Sequence, residues 1–171
     1  MPLILITPLS AVPDAIRSHA PSHIVTLLSA QYMIETPRGF AKDRHLRLSV
    51  HDIADPQGDQ APARAHVESL LEFGRGWDAS APMLVHCWAG VSRSTASAYA
   101  ILCDRAGPGS ERDIARRLRE RAPHAQPNRL IVRLADEALG RDGAMVRAVD
   151  EIGTGVMVTE GYPVEMKLGA G

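Results

Sequence analysis

Four short apolar runs, interleaved with segments of helical period, constrain this fold more than any other feature of the chain. Leu3–Ile6, His23–Leu28, His45–Val50 and Met83–His86 are rich in Leu, Ile and Val, and each is too short to be a buried helix. Between and after them come stretches with helical spacing. Val67, Leu70, Leu71 and Phe73 mark one over Ala63–Trp77, and Ser10 is placed to cap another over Ala11–His19, which Pro21 ends. Arg93–Arg105 is apolar nearly all round and predicts a buried helix. Glu111–Ala122, with Ser110 as its cap, turns only Ile114, Ala115 and Leu118 inward and predicts a surface helix. Its arginines and acids read as a solvated face. Pro127 suits the first turn of a helix running to Leu139, with Gly140 as its stop. This alternation predicts an α/β class, with a central mostly parallel sheet of four to five strands flanked by helices. Residues 1–140 read as the main domain. Residues 141–171 read as an extension packed on it, a helix followed by a hairpin over Val156–Leu168 about Glu160-Gly161.

Composition narrows the function. The chain has 171 residues, 45% of them hydrophobic, and a formal net charge of −1. That balance excludes extended disorder, and no basic stripe favours nucleic acid or a membrane surface. The opening run lacks the basic flank and the apolar length of a secretory signal, and no stretch is long enough to span a membrane, so a cytoplasmic protein is expected. Two cysteines cannot form a disulfide framework. Neither they nor the seven histidines show metal-ligand spacing, so neither metal nor cofactor is expected.

The chemistry points to one loop. His86-Cys87-Trp88-Ala89-Gly90-Val91-Ser92-Arg93-Ser94 joins the fourth strand to the buried helix. A loop of this length can curl so that successive backbone N–H groups of residues 88–93 meet at one centre, a nest for a tetrahedral oxyanion. The helix N-terminus behind it adds unpaired donors and a positive dipole end. Gly90 allows a close backbone approach. Arg93 can grip two phosphate oxygens with its planar fork. The same donors favour the thiolate of Cys87, which is the nucleophilic form. Ser94 can donate a hydrogen bond to that sulfur. Cys103, about three helical turns beyond Arg93, is too far for a bridge and reads as core.

HCWAGVSRS resembles the signature of the cysteine-dependent protein tyrosine phosphatase superfamily, and the short chain resembles its compact dual-specificity branch. The resemblance implies a phosphatase domain over residues 1–140 that hydrolyses phosphomonoesters through a cysteinyl-phosphate. Trp88, Ala89, Gly90, Val91, Ser92 and Arg93 would hold the phosphate. His86, in the family's His-Cys pair, would bond loop backbone, and it also reads simply as a buried strand histidine. The Pro127-Asn128 pair resembles the family's downstream helix entry, in which the asparagine side chain ties to the phosphate loop; it equally fits turn chemistry.

Such a reaction needs an acid for the leaving oxygen and later a base for water. Asp52, directly after the third strand, resembles the family's general acid, and Asp55 beside Pro56 is the alternative. His51 adjoins them and reads as a solvated loop residue. Trp88 either packs beneath the loop or edges the pocket. With two Trp, three Tyr and two Phe in the chain, only Tyr32, Phe40 and Tyr162 could join it, from loops or the tail. The loop carries no lysine of the kind inositol-lipid-specific relatives have. The expected substrate is a phosphorylated protein or a small phosphomonoester. The rival reading is a phosphate-binding module without turnover that holds a phosphorylated partner.

Overall fold

The computed structural model describes residues 2–169. Strands β1 (Leu3–Pro8), β2 (His23–Leu28), β3 (His45–Ser49), β4 (Met83–Cys87) and β5 (Val164–Lys167) form one sheet in the order β3-β2-β4-β1-β5. Pairings β1–β4, β2–β4 and β2–β3 are parallel, and β5 runs antiparallel along the edge of β1. The expected α/β class and mostly parallel sheet are present.

Both faces of the sheet are covered, which is why its inner strands read as continuous apolar runs rather than alternating ones. The two-residue strand period divides their side chains between two cores. Ile4, Ile6, Val25, Leu27, Met83 and Val85 face the larger core, whereas Leu5, Ile24 and Leu84 face a smaller one with Val12 and Ala15. The smaller core lies under α1 (Val12–His19), with Phe40 packed against it. The larger core is filled by α2 (Arg64–Gly76), α3 (Arg93–Ala106), α4 (Glu111–Arg121), α5 (Arg129–Leu139) and α6 (Ala144–Glu151).

Helix α3 is the hub, buried at every residue from Arg93 to Cys103. Small residues let its neighbours approach: a Cβ on Gly74 of α2 would lie 3.1 Å from Ile101. Cys103 is fully buried beside Tyr99, and desolvation pushes its thiol up to about 12, so it is a core residue as expected.

Several local expectations are corrected. Ser10 does not cap α1. It sits in a 3-10 turn over Leu9–Ala11 and donates to the Glu160 carboxylate. Ser110 precedes α4 but spends its hydroxyl on Gly107 O. Asn128, not Pro127, marks the start of α5, its Oδ1 accepting from Ile131 N at 3.0 Å. The hairpin over Val156–Leu168 does not form, because the free edge of β1 takes Val164–Lys167 as a strand and leaves residues 152–163 irregular. Helix α4 is only partly a solvated face. Arg119 turns back to donate to the carbonyls of Ala122, Pro123, Ala125, Ile152 and Gly153, and Arg117 donates to those of Lys167 and Gly169.

Candidate active site

The parallel strands end together, and the loop from Cys87 to Arg93 leaves the sheet at the carboxyl end of central β4, where open α/β sheets place their sites. Its shape is set by where its carbonyls go. Trp88 O accepts from Leu9 N at 3.1 Å, Ala89 O from Gly161 N at 2.8 Å, Val91 O from Gln126 N at 2.9 Å and Ser92 O from Asn128 N at 3.2 Å. In a trans peptide the N–H points opposite to the C=O. Holding the carbonyls outward therefore turns the following N–H groups toward the loop's own centre. The N–H groups of residues 89–93 take no protein acceptor among the described residues.

Gly90 is required at its position. It has a φ of +69°, and a Cβ there would lie 2.6 Å from Pro8 N and 2.8 Å from Thr7 C. The loop is pressed against the end of β1 at this point, and only glycine fits.

Cys87 is 2% exposed, with Sγ 3.2 Å from Ser94 Oγ. Ser94 is buried in the first turn of α3, and its hydroxyl can rotate to donate once the sulfur is ionised. Arg93 is 7% exposed. Its Nη1 donates to Val50 O at 2.9 Å, while its buried Nε has no partner among the described residues.

Val50 leads into the loop that carries both candidate acids, and the two aspartates differ sharply. Asp52 Oδ1 accepts from Ser92 Oγ at 2.7 Å and from Asn128 Nδ2 at 2.9 Å, which brings its carboxyl to the rim of the Cys87 loop. Asp55 is occupied locally, accepting from Gln57 N at 2.9 Å within its own turn. The Asn128 side chain therefore fastens the Asp52 loop, donating also to Ile53 O at 3.0 Å. Only its backbone reaches the Cys87 loop.

His86 is fully buried and lies in an ordered chain of hydrogen bonds. Cys87 O can only accept, so His86 Nδ1 carries the proton and donates to it at 3.3 Å. His86 Nε2 then accepts from the Thr26 hydroxyl at 2.7 Å. The Thr26 oxygen accepts from His45 Nε2 at 2.8 Å, and His45 Nδ1 accepts from Thr36 at 3.0 Å. Desolvation lowers both histidines to about 4, which keeps them neutral and this polarity fixed.

Of the two placements open for Trp88, the structure takes the pocket edge. Trp88 is 52% exposed and tilts against Tyr32, with ring centroids 4.9 Å apart. Tyr162 approaches from the tail but packs edge-on against His124. Phe40 stays with the smaller core. Sequence reasoning missed His124, Gln126 and Gly161, the residues through which residues 122–126 and the tail reach the loop. Nothing in their local sequence marks them, because their role depends on chain segments far apart.

No family model and no curated protein sequence matches this chain. Among solved structures it is similar to human DUSP28, with a TM-score of 0.60 and 22% identity over 82% of this chain and 94% of that one. It is similar to DUSP15 (TM-score 0.58, 22% identity, 89% and 91% covered) and to the Yvh1 phosphatase domain from Chaetomium thermophilum (0.57, 24%, 83% and 93%). The chain has the fold of the cysteine-dependent protein tyrosine phosphatase superfamily, in its compact dual-specificity form.

Proposed function

We propose that this protein hydrolyses phosphomonoesters through a cysteinyl-phosphate intermediate, its machinery carried by residues 1–140 and the extension 141–171 packed on it. The observation that carries the reading is the Cys87 loop with its carbonyls held outward around a buried thiol. The N–H groups of residues 88–93 and the Arg93 guanidinium, whose Nε has no partner among the described residues, bind the phosphate oxygens. The Cys87 thiolate attacks phosphorus, the bond to the leaving oxygen breaks, and Asp52 gives that oxygen its proton. The Asp52 carboxylate then takes a proton from water, which attacks phosphorus and releases inorganic phosphate. Ser94 donates to the departing sulfur at that step. Asp52 is preferred over Asp55 because two hydrogen bonds hold it against the loop, whereas Asp55 braces a turn.

The substrate is a phosphorylated protein or a small phosphomonoester. The lysine-free run Trp88–Ser92 speaks against an inositol lipid. Among the described residues, no helix is long and apolar enough to cross a membrane. Cys87→Ser tests the reading against a binding module without turnover. Hydrolysis of p-nitrophenyl phosphate by the wild type should vanish in the variant while phosphate binding persists. Turnover that survives the substitution overturns the thiolate route, and a wild type that binds phosphate without hydrolysing p-nitrophenyl phosphate is a binding module.

A further inference from the structure

A cleft of about 420 Å³ opens beside the first two residues of the phosphate loop, lined by Leu9, Ser10, Trp88, Ala89, Thr159 and Glu160. Its far wall comes from the tail, and the tail is anchored rather than loose. Gly161 N donates to Ala89 O, Val156 N to Pro123 O and Gly155 N to Gln126 Oε1, each at 2.8 Å. A Cβ on Gly161 would lie 2.5 Å from His124 Nε2 and 3.2 Å from Gly90 O, so the strap lies flat on the loop. Ser10 donates to the Glu160 carboxylate across the cleft, which holds that charge in place. The cleft therefore has an aromatic side, Trp88 backed by Tyr32, and an anionic side, Glu160. The strap continues outward as Val156, Met157 and Val158, all exposed.

We propose that this strap selects the substrate, and that the cleft takes the residue beside the phosphorylated one in a peptide, favouring lysine or arginine there. The inference rests on the hydrolase reading above and deepens it. A basic side chain in the cleft meets the Glu160 carboxylate and the face of Trp88, both of which attract a cation. A second acidic or phosphorylated group in the same place meets like charge. The exposed Val156–Val158 segment offers an apolar track along which the rest of an extended peptide can lie.

The test compares two phosphotyrosine peptides that differ only in lysine or glutamate next to the phosphotyrosine, with p-nitrophenyl phosphate as a substrate that does not reach Glu160. The wild type should favour the lysine peptide in kcat/KM by about twofold to fivefold, the size expected of one exposed charge contact. The preference should shrink as salt is raised. Glu160→Gln should erase it and Glu160→Lys reverse it, both keeping p-nitrophenyl phosphate turnover within about twofold. A wild type that turns over p-nitrophenyl phosphate but shows no charge preference, or a preference that persists in Glu160→Gln, overturns the strap's role alone. A wild type that hydrolyses none of the three substrates instead overturns the underlying hydrolase reading.

Discussion

Asp52 is a residue whose neighbours define its work more than its own environment does. Ser92 and Asn128 both donate to one of its carboxyl oxygens, Oδ1, and the proposed mechanism assigns proton transfer to the other. Asp52→Asn should lower kcat by about 10²–10⁴-fold on alkyl phosphates, whose leaving oxygen needs a proton, and by much less on p-nitrophenyl phosphate. Asp55→Asn should leave both rates nearly unchanged. A larger loss in Asp55→Asn would transfer the acid's role to Asp55. Ser94 predicts a different pattern. Ser94→Ala removes the hydroxyl 3.2 Å from Cys87 Sγ, and should slow release of the phosphate from sulfur more than its arrival. Stopped-flow traces should then show a burst of nitrophenol followed by a slow steady state, and a variant with no burst would contradict that assignment.

At the scale of elements, the sequence made the strand–loop–helix unit legible because each of its parts has a local signature. A short apolar strand, a glycine, an arginine and a small-residue helix all lie within one stretch from Met83 to Ala106. The paired aspartates could be ranked by resemblance alone, Asp52 before Asp55, since the contacts that distinguish them come from Ser92 and Asn128, far along the chain. The tail was the least legible. Its alternating pattern suits a hairpin, yet strand formation was decided by the free edge of β1, a partner no local pattern reveals. The strap's attachment to the Cys87 loop yields a prediction. Gly161→Ala places a methyl against His124 and Gly90 O and should shift the loop. We expect KM for p-nitrophenyl phosphate to rise about tenfold or more, with a loss of stability of roughly 1–3 kcal/mol as in other overpacked sites. An unchanged KM would show that the strap lies on the loop without shaping it.

Across the whole molecule, the C-terminal segment from Arg141 onward is tied to the preceding helices by a buried charge pair. Arg141, at its start, pairs with Glu111 of α4 and donates to Cys103 O at 3.0 Å. Burial alone would raise the Glu111 carboxyl, but its backbone bonds and Arg141 hold it below the ordinary range. Arg141→Met leaves that carboxylate buried and unpaired, and should cost about 3–5 kcal/mol, or roughly 10 °C in Tm for a chain of this size. A shift under about 2 °C would contradict the assignment. His45 and His86 make the fold less stable in acid. Their pKa values in the folded state, about 4, lie below the ordinary histidine value of 6.5. Between those values the unfolded chain binds protons that the fold refuses, so their stabilising contribution is complete above pH 6.5 and declines as pH falls toward 4. The fall in Tm over that window should be shallower in His45→Gln, and an identical slope would remove His45 from the account. The nucleophilic role of the Cys87 sulfur is tested most directly by quenching Ser94→Ala during turnover and mapping the trapped phosphoryl group by mass spectrometry. The phosphoryl group is predicted on Cys87, whereas a group on any other residue, or hydrolysis in a single step with no covalent species, would contradict the mechanism.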